Sequence, residues 1–157
     1  MGINWYPLIC MIAKREFYHG VAFVRLLEDK RCQTVRKDEF GYVVNDDVFI
    51  FLKYSTKARS PWRFTFVPEE VEQLNFRAGS FREIFIVMIC GGDGICAVSW
   101  CNACILLGSK AGWIAVKRKF DEEYAVAGPM DELRRKVALN TWPSIAFEKG
   151  KVPCPKT

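Results

Sequence analysis

Hydrophobic and polar positions change period several times along this chain, and each change marks an element. Between residues 11 and 29, Phe17, Val21, Val24 and Leu27 recur at i, i+4, i+7 and i+10. That spacing predicts a helix with one apolar stripe. Glu16 and His19 are three apart and share a neighbouring face of it. Gly20, in the middle, costs about 1 kcal/mol against alanine, and is read as room for the sheet to come close. Residues 33–36 and 42–45 predict short strands, split by Lys37-Asp38-Glu39-Phe40-Gly41. Asn45-Asp46-Asp47 is a turn signal. The run Val48-Phe49-Ile50-Phe51-Leu52 follows and ends in Lys53. Side chains alternate along a strand, so Val48, Ile50, Leu52 and Tyr54 share one face, and Phe49, Phe51 and Lys53 the other. Both faces start apolar, which predicts an interior strand covered on both sides.

The remaining pattern is β-rich. Phe64-Thr65-Phe66-Val67 is strand-like, and residues 68–74 predict a helix with Pro68 in its first turn and acids at its positive end. Residues 84–90 form a continuous apolar run, a second interior strand. Gly91-Gly92-Asp93-Gly94 turns into a strand over 95–99 rather than into a helix, so it lacks the helix amides that cradle phosphate. A short helix over 101–107 stops at Gly108. Residues 113–119 and 124–127 predict a hairpin through Asp121-Glu122-Glu123. Residues 133–139 fit a strand or a helix, 144–147 a last short strand, and 150–157 a loose tail.

The resulting fold class is α+β (mixed α/β): an αβββαβ core over roughly 11–90 with a β-rich C-terminal extension. One domain, 1–149, is expected from 157 residues that are 50% hydrophobic. No apolar run approaches the ~20 residues of a membrane helix, and no positive segment precedes the short run at 7–13 as in a signal peptide. A cytoplasmic protein with no membrane partner is expected. Seven cysteines, an odd number with several in apolar strands, point to reduced and mostly buried thiols.

Charge singles out one surface. From Val48 through Pro68 there is no acid, while Lys53, Lys57, Arg59 and Arg63 interleave with Tyr54, Trp62, Phe64 and Phe66. Such a mixture can neutralise phosphate and stack on bases. The competing reading makes Lys57 and Arg59 solvated loop charges and puts the aromatics in a core edge. Lys117-Arg118-Lys119 and Arg134-Arg135-Lys136 are further basic clusters, nearly offset by neighbouring acids. Arg118 joins Lys57, Arg59 and Arg63 as a nucleic-acid-binding candidate if the clusters meet in space. The net charge of +5 is compatible with nucleic acid and equally with plain solubility.

The order helix, three strands, helix, strand, with a long central strand ending in lysine, resembles the core of the restriction-endonuclease-like superfamily, the PD-(D/E)XK nucleases, which includes Holliday-junction resolvases. The resemblance implies that Lys53 assists an attacking water and that acids nearby hold a divalent metal, Mg²⁺ if the chain is an active nuclease. Two residues before Lys53, where the family carries an acid, stands Phe51. Asp38 or Glu39 matches the earlier acid of the family, Asp47 begins the central strand, and Glu16 resembles an additional acid on the first helix. A replacement carboxylate would come from Glu69, Glu70 or Glu72 on the second helix. The set the resemblance carries over is therefore Lys53, Asp47, Glu16 and Glu39, on a metal site that is degenerate.

The expected function is a nucleic-acid-associated domain with DNA or RNA as partner. The alternative is a protein-interaction module or a subunit of a larger bacterial complex, motivated by Trp5, Trp62, Trp100, Trp113 and Trp142 as anchors. Two other chemistries have thinner support. Cys90, Cys96, Cys101 and Cys104 include a single C-x-x-C, where zinc sites show two. Trp100-Cys101-Asn102-Ala103-Cys104 resembles a thioredoxin motif, but the helix behind it is too short. His19, the only histidine, reads as a packed structural ring beside the apolar stripe.

Overall fold

A computed structural model describes residues 11–108 and 110–148. The elements in order are α1 (Lys14–Glu28), β1 (Val35–Lys37), β2 (Tyr42–Val44), β3 (Val48–Ser55), β4 (Trp62–Phe66), α2 (Pro68–Arg77), β5 (Glu83–Cys90), β6 (Gly94–Ser99), α3 (Trp100–Leu107), β7 (Gly112–Lys117) and β8 (Ala125–Ala127). A 3₁₀ turn, Ser144–Phe147, follows. The fold is a mixed α+β domain with two sheets. The larger sheet has the order β1-β2-β3-β5-β6, and the smaller β4-β7-β8.

β3 sits in the middle of the larger sheet. It pairs antiparallel with β2 and parallel with β5, in a register that sets Lys53 opposite Met88. Its first five residues are buried, and every residue of β5 is buried. The double-sided apolar pattern of both strands therefore has its physical cause in a covered sheet. Asn45 and Asp46 take the positive φ values of 51° and 60° that close the tight turn into β3. The Asn45 side chain accepts hydrogen bonds from the amides of Gln33 and Thr34, tying that turn to the strand before it.

The two sides of the larger sheet are covered differently. Phe49, Phe51, Ile84, Ile86 and Met88 pack against β4, β7, α2 and α3 in one large core. Val48, Ile50, Leu52, Phe85 and Val87 face Ala22 and Leu26 of α1, together with Trp142 and Ala146 near the last turn. β4 is the surprise of the topology. It follows β3 directly yet leaves the sheet and starts the smaller one, so the expected αβββαβ order has an extra strand between β3 and α2. Its alternation explains why: Trp62, Phe64 and Phe66 are buried and Arg63 and Thr65 exposed, which is the signature of a strand with one wet face.

Three expectations are corrected. Gly20 marks no close approach of the sheet, since a Cβ on it meets nothing within 4 Å, and the stripe Phe17, Val21, Val24 and Leu27 points away from the sheet: these residues are 60%, 43%, 56% and 63% exposed, while Ala22 and Leu26 are buried. Residues 133–139 form neither strand nor helix; Val137 bridges to Tyr124 and the Leu133 amide donates to the carbonyl of Val126. Residues 144–147 form a 3₁₀ turn instead of a strand, starting straight after Pro143, whose ring cannot donate to a ladder. The proposed tail at 150–157 and the apolar run at 7–10 lie outside the described residues. No helix among the described residues is long and apolar enough to cross a membrane.

Candidate nucleic-acid interface

Lys53 stands where the alternation of β3 puts it, on the Phe51 side at the strand's polar end. There it is engaged by its own chain. Its amine donates to Glu70 Oε1 at 2.8 Å and to the carbonyl of Thr65. Two of its three donors are thus used. It also lies 5.0 Å from the ring centre of Phe66 and 5.6 Å from that of Phe51, where the aromatic faces attract a cation. The pair is half-buried, with side-chain exposures of 18% for Lys53 and 21% for Glu70. Glu70 Oε1 further accepts the amide of Val67 at 2.9 Å. That contact satisfies an orphan donor at the start of α2. Lys53 therefore pins β4 and the first turn of α2 to β3.

Of the second-helix acids, Glu70 is the one that reaches Lys53. The others of the expected set do not converge on it. Asp47 precedes β3, six residues from Lys53, which at ~3.3 Å per residue is roughly 20 Å; it pairs with Arg82 at 3.1 Å instead. Glu39 is exposed in the turn between β1 and β2. Burial pushes the carboxyl of its neighbour Asp38 up, but a bond from the Phe40 amide and two from Arg77, at 2.7 and 3.1 Å, together hold it below the usual range. Glu16 lies exposed on α1, which packs on the side of the sheet away from Phe51 and Lys53. Among the described residues no group of three or more His, Cys, Asp or Glu side chains could hold a metal ion. A hard divalent cation needs several oxygens, so Glu70 alone, already bonded to an ammonium and an amide, does not fit Mg²⁺.

The loop from β3 to β4 is held from within. The Lys57 amine folds back onto the carbonyl of Pro61 at 3.0 Å, and the Trp62 indole donates to the carbonyl of Lys57 at 2.9 Å. Gly91, at a φ of 54°, packs so tightly on the Lys57 carbonyl that a Cβ there would collide with backbone. Arg59 is exposed on this loop. Arg118 is committed elsewhere. It makes a two-pronged bond to Asp93, 2.7 Å on each prong, and Tyr124 donates to the same carboxylate at 2.8 Å. The hydrogen bonds from Arg118, more than any other influence, hold the Asp93 carboxyl below its usual range. The Arg118 amide also donates to Ser60, so this cluster anchors the loop to β7.

Arg63 is different. It projects from the exposed face of β4, and its guanidinium sits 4.0 Å over the ring of Trp113. The register sets Arg63 opposite Ala115 and Thr65 opposite Trp113. Lys117 follows on the same face opposite Ala125, and Ala115 opposite Ala127. The open face of the smaller sheet thus carries a half-buried tryptophan, two cations, a threonine and three alanines, with no acid on its strands. Glu132 bridges to Ala127 at the outer edge. The buried aromatics Trp62, Phe64 and Phe66 belong to the core, as the competing reading had it. In the sequence Trp113 stands out only as an anchor candidate and not with the nucleic-acid-binding set, although the alternation Trp113, Ala115, Lys117 against Ile114 and Val116 carried the signal.

The other candidates resolve simply. Trp62, Trp100 and Trp142 are buried and make no anchor patch; Trp5 lies outside the described residues. His19 stacks edge-on against Tyr54, and burial followed by nearby Arg15 lowers its pKa, so it is neutral at pH 7. Cys32, Cys90, Cys96 and Cys104 are free thiols. Burial pushes Cys90 up to about 12 and Cys104 up to about 11, so neither thiol is ionised at neutral pH. Cys101 is disulfide-bonded, against the expectation of reduced thiols throughout, and with Cys104 free the C-x-x-C is no dithiol pair. No protein-family model, curated protein or solved structure matches the chain.

Proposed function

We propose that this protein is a nucleic-acid-associated domain on a nuclease-like frame whose metal site is degenerate, and that it meets single-stranded DNA or RNA through the open face of the smaller sheet. The observation that carries the reading is the Arg63 guanidinium stacked on Trp113, beside Lys117 and over a floor of alanines. Cations there neutralise phosphates, the indole offers a stacking surface, and small neighbours let a base come close. Once β4 is set aside, α1, β1, β2, β3, α2 and β5 follow the αβββαβ order, which supports the nuclease-like frame. Lys53 is an architectural residue in this reading and no longer a reactive one. A cytoplasmic setting belongs to the proposal and is supported by the four free thiols; the disulfide at Cys101 pulls against it.

Fluorescence anisotropy with labelled single strands across a salt series tests the reading. Binding is expected at low salt, with Arg63→Ala and Lys117→Ala each lowering the slope of log K against log salt by roughly 0.7. Trp113→Ala should weaken binding by about 1–3 kcal/mol with little change in that slope. Absence of binding at about 50 mM salt, where phosphate contacts are strong, ends it.

A second reading, a protein-interaction module, is favoured by one observation: the exposed apolar face of α1, with Phe17, Val21, Val24 and Leu27 all open.

A further inference from the structure

Resting on the interaction-module reading, we infer that the partner at α1 is a second copy of this chain, packed antiparallel about a two-fold axis at Val21. Lys14, Phe17, Val21, Val24 and Glu28 are spaced by three, four, three and four residues, the 3.5-residue repeat of a two-helix seam. Phe17, Val21 and Val24 are exposed apolar knobs on that line. Lys14 and Glu28 close it at either end, both exposed, and neither takes part in a salt bridge among the described residues.

Those end charges are what choose the partner. In an antiparallel pair centred on Val21, residues whose numbers sum to 42 face each other, so Lys14 of each copy meets Glu28 of the other. One helix therefore carries both halves of two symmetric ion pairs, as an isologous interface requires. Gly20 points the same way. A Cβ built on it meets nothing within 4 Å, so nothing described in this chain requires glycine there. Its helical cost of about 1 kcal/mol against alanine is accounted for if a second helix crosses close beside Val21. An open groove of about 640 Å³, lined in part by Phe17, Val21, Thr56 and Gly92, adjoins the same face and adds depth to it.

One pair of four-turn helices lies at the small end of specific interfaces, below about 1,200 Å². Association is accordingly expected in the micromolar range. Sedimentation equilibrium on the full chain, from roughly 5 to 500 μM to bracket such a constant, reads it. The wild type is expected to dimerise. Lys14→Glu or Glu28→Lys alone sets like charges at both ends and should weaken the dimer at least about tenfold. The double reversal, Lys14→Glu with Glu28→Lys, should restore it. Val21→Glu should be monomeric with an unchanged far-ultraviolet circular dichroism spectrum. A wild type monomeric throughout, a dimer that survives Val21→Glu, or a double reversal that stays monomeric overturns the inference. If the wild type is monomeric, binding of an apolar dye separates the two failures. A dye signal lost in Val21→Glu means the face is open to some other protein, and the interaction reading stands without the self-partner. An unchanged signal means the chain covers its own stripe, and both readings fall.

Discussion

The two faces of the larger sheet teach opposite lessons. On the Phe51 side, every group with chemical character is already spent: Lys53 on Glu70 and Thr65, Arg77 on Asp38, and the aromatics of β4 in the core. On the α1 side the core is thinner: Ala22 and Leu26 are buried, Tyr18 and Phe23 pack partly against it, and Phe17, Val21, Val24 and Leu27 are left outside. A strand end that looks reactive in sequence can be mere joinery, and a helix stripe that looks like core can be an unfilled surface. Burial by the rest of the chain decides between those meanings.

The comparison breaks most visibly in the core. Phe66→Ala, between the sheets, should destabilise by about 3–5 kcal/mol, read as the shift of a urea unfolding curve. If it costs less than 1 kcal/mol, the smaller sheet is not part of one cooperative core. Next comes Lys53→Met, which removes the ammonium while keeping most of the stem. It should cost about 1–3 kcal/mol, because the Thr65 carbonyl and the Glu70 carboxylate each lose a half-buried partner. Adding Glu70→Gln should recover part of that loss. A reactive lysine would instead be removable without loss of stability, so an unchanged unfolding midpoint would sink the pinning role.

Acid tests the Asp93 cluster. Hydrogen bonds from Arg118 hold this carboxyl below its usual range, opposed by burial and assisted by Tyr124. A folded pKa below the unfolded one gives stability that is fully present above the unfolded pKa, about 3.9 for aspartate, and that is lost as pH falls through the folded value. Asp93→Asn should therefore cost about 1 kcal/mol at neutral pH and flatten the stability profile below about pH 4. A profile equally steep in the variant would put the acid sensitivity elsewhere. Smallest of all is Val24→Ala on the open face of α1. At protein concentrations too low for self-association it should change stability by less than about 0.5 kcal/mol, and a core-sized loss would show that this face is covered within the chain.

Much of the architecture is legible in hydrophobic period alone. The double-sided run of β3 and of residues 84–90, the first-turn proline and acids of α2, and the glycine stop after α3 are local signals, and local physics settles them. Periodicity also states correctly that Phe17, Val21, Val24 and Leu27 share a face. It cannot say whether that face is the buried one, because α1 carries a second apolar face at Tyr18, Ala22, Phe23 and Leu26, and only the sheet chooses between them. The Lys53 partner was legible only as one of three glutamates, since which one arrives depends on how β4 turns away and where α2 then begins.

What the sequence by itself determined is the set of elements and the alternation within each: α1, the interior strands, the hairpins, and the side of β3 that carries Lys53. Those follow from backbone geometry, which repeats every few residues. Only the tertiary structure decided that β4 starts a second sheet, that Glu70 closes on Lys53 while Asp47 stays at the far end, and that Arg63 finds Trp113. These are meetings of residues from 17 to 50 positions apart in the chain or at opposite ends of one strand. No local period encodes them, and the packing of the whole core fixes them together.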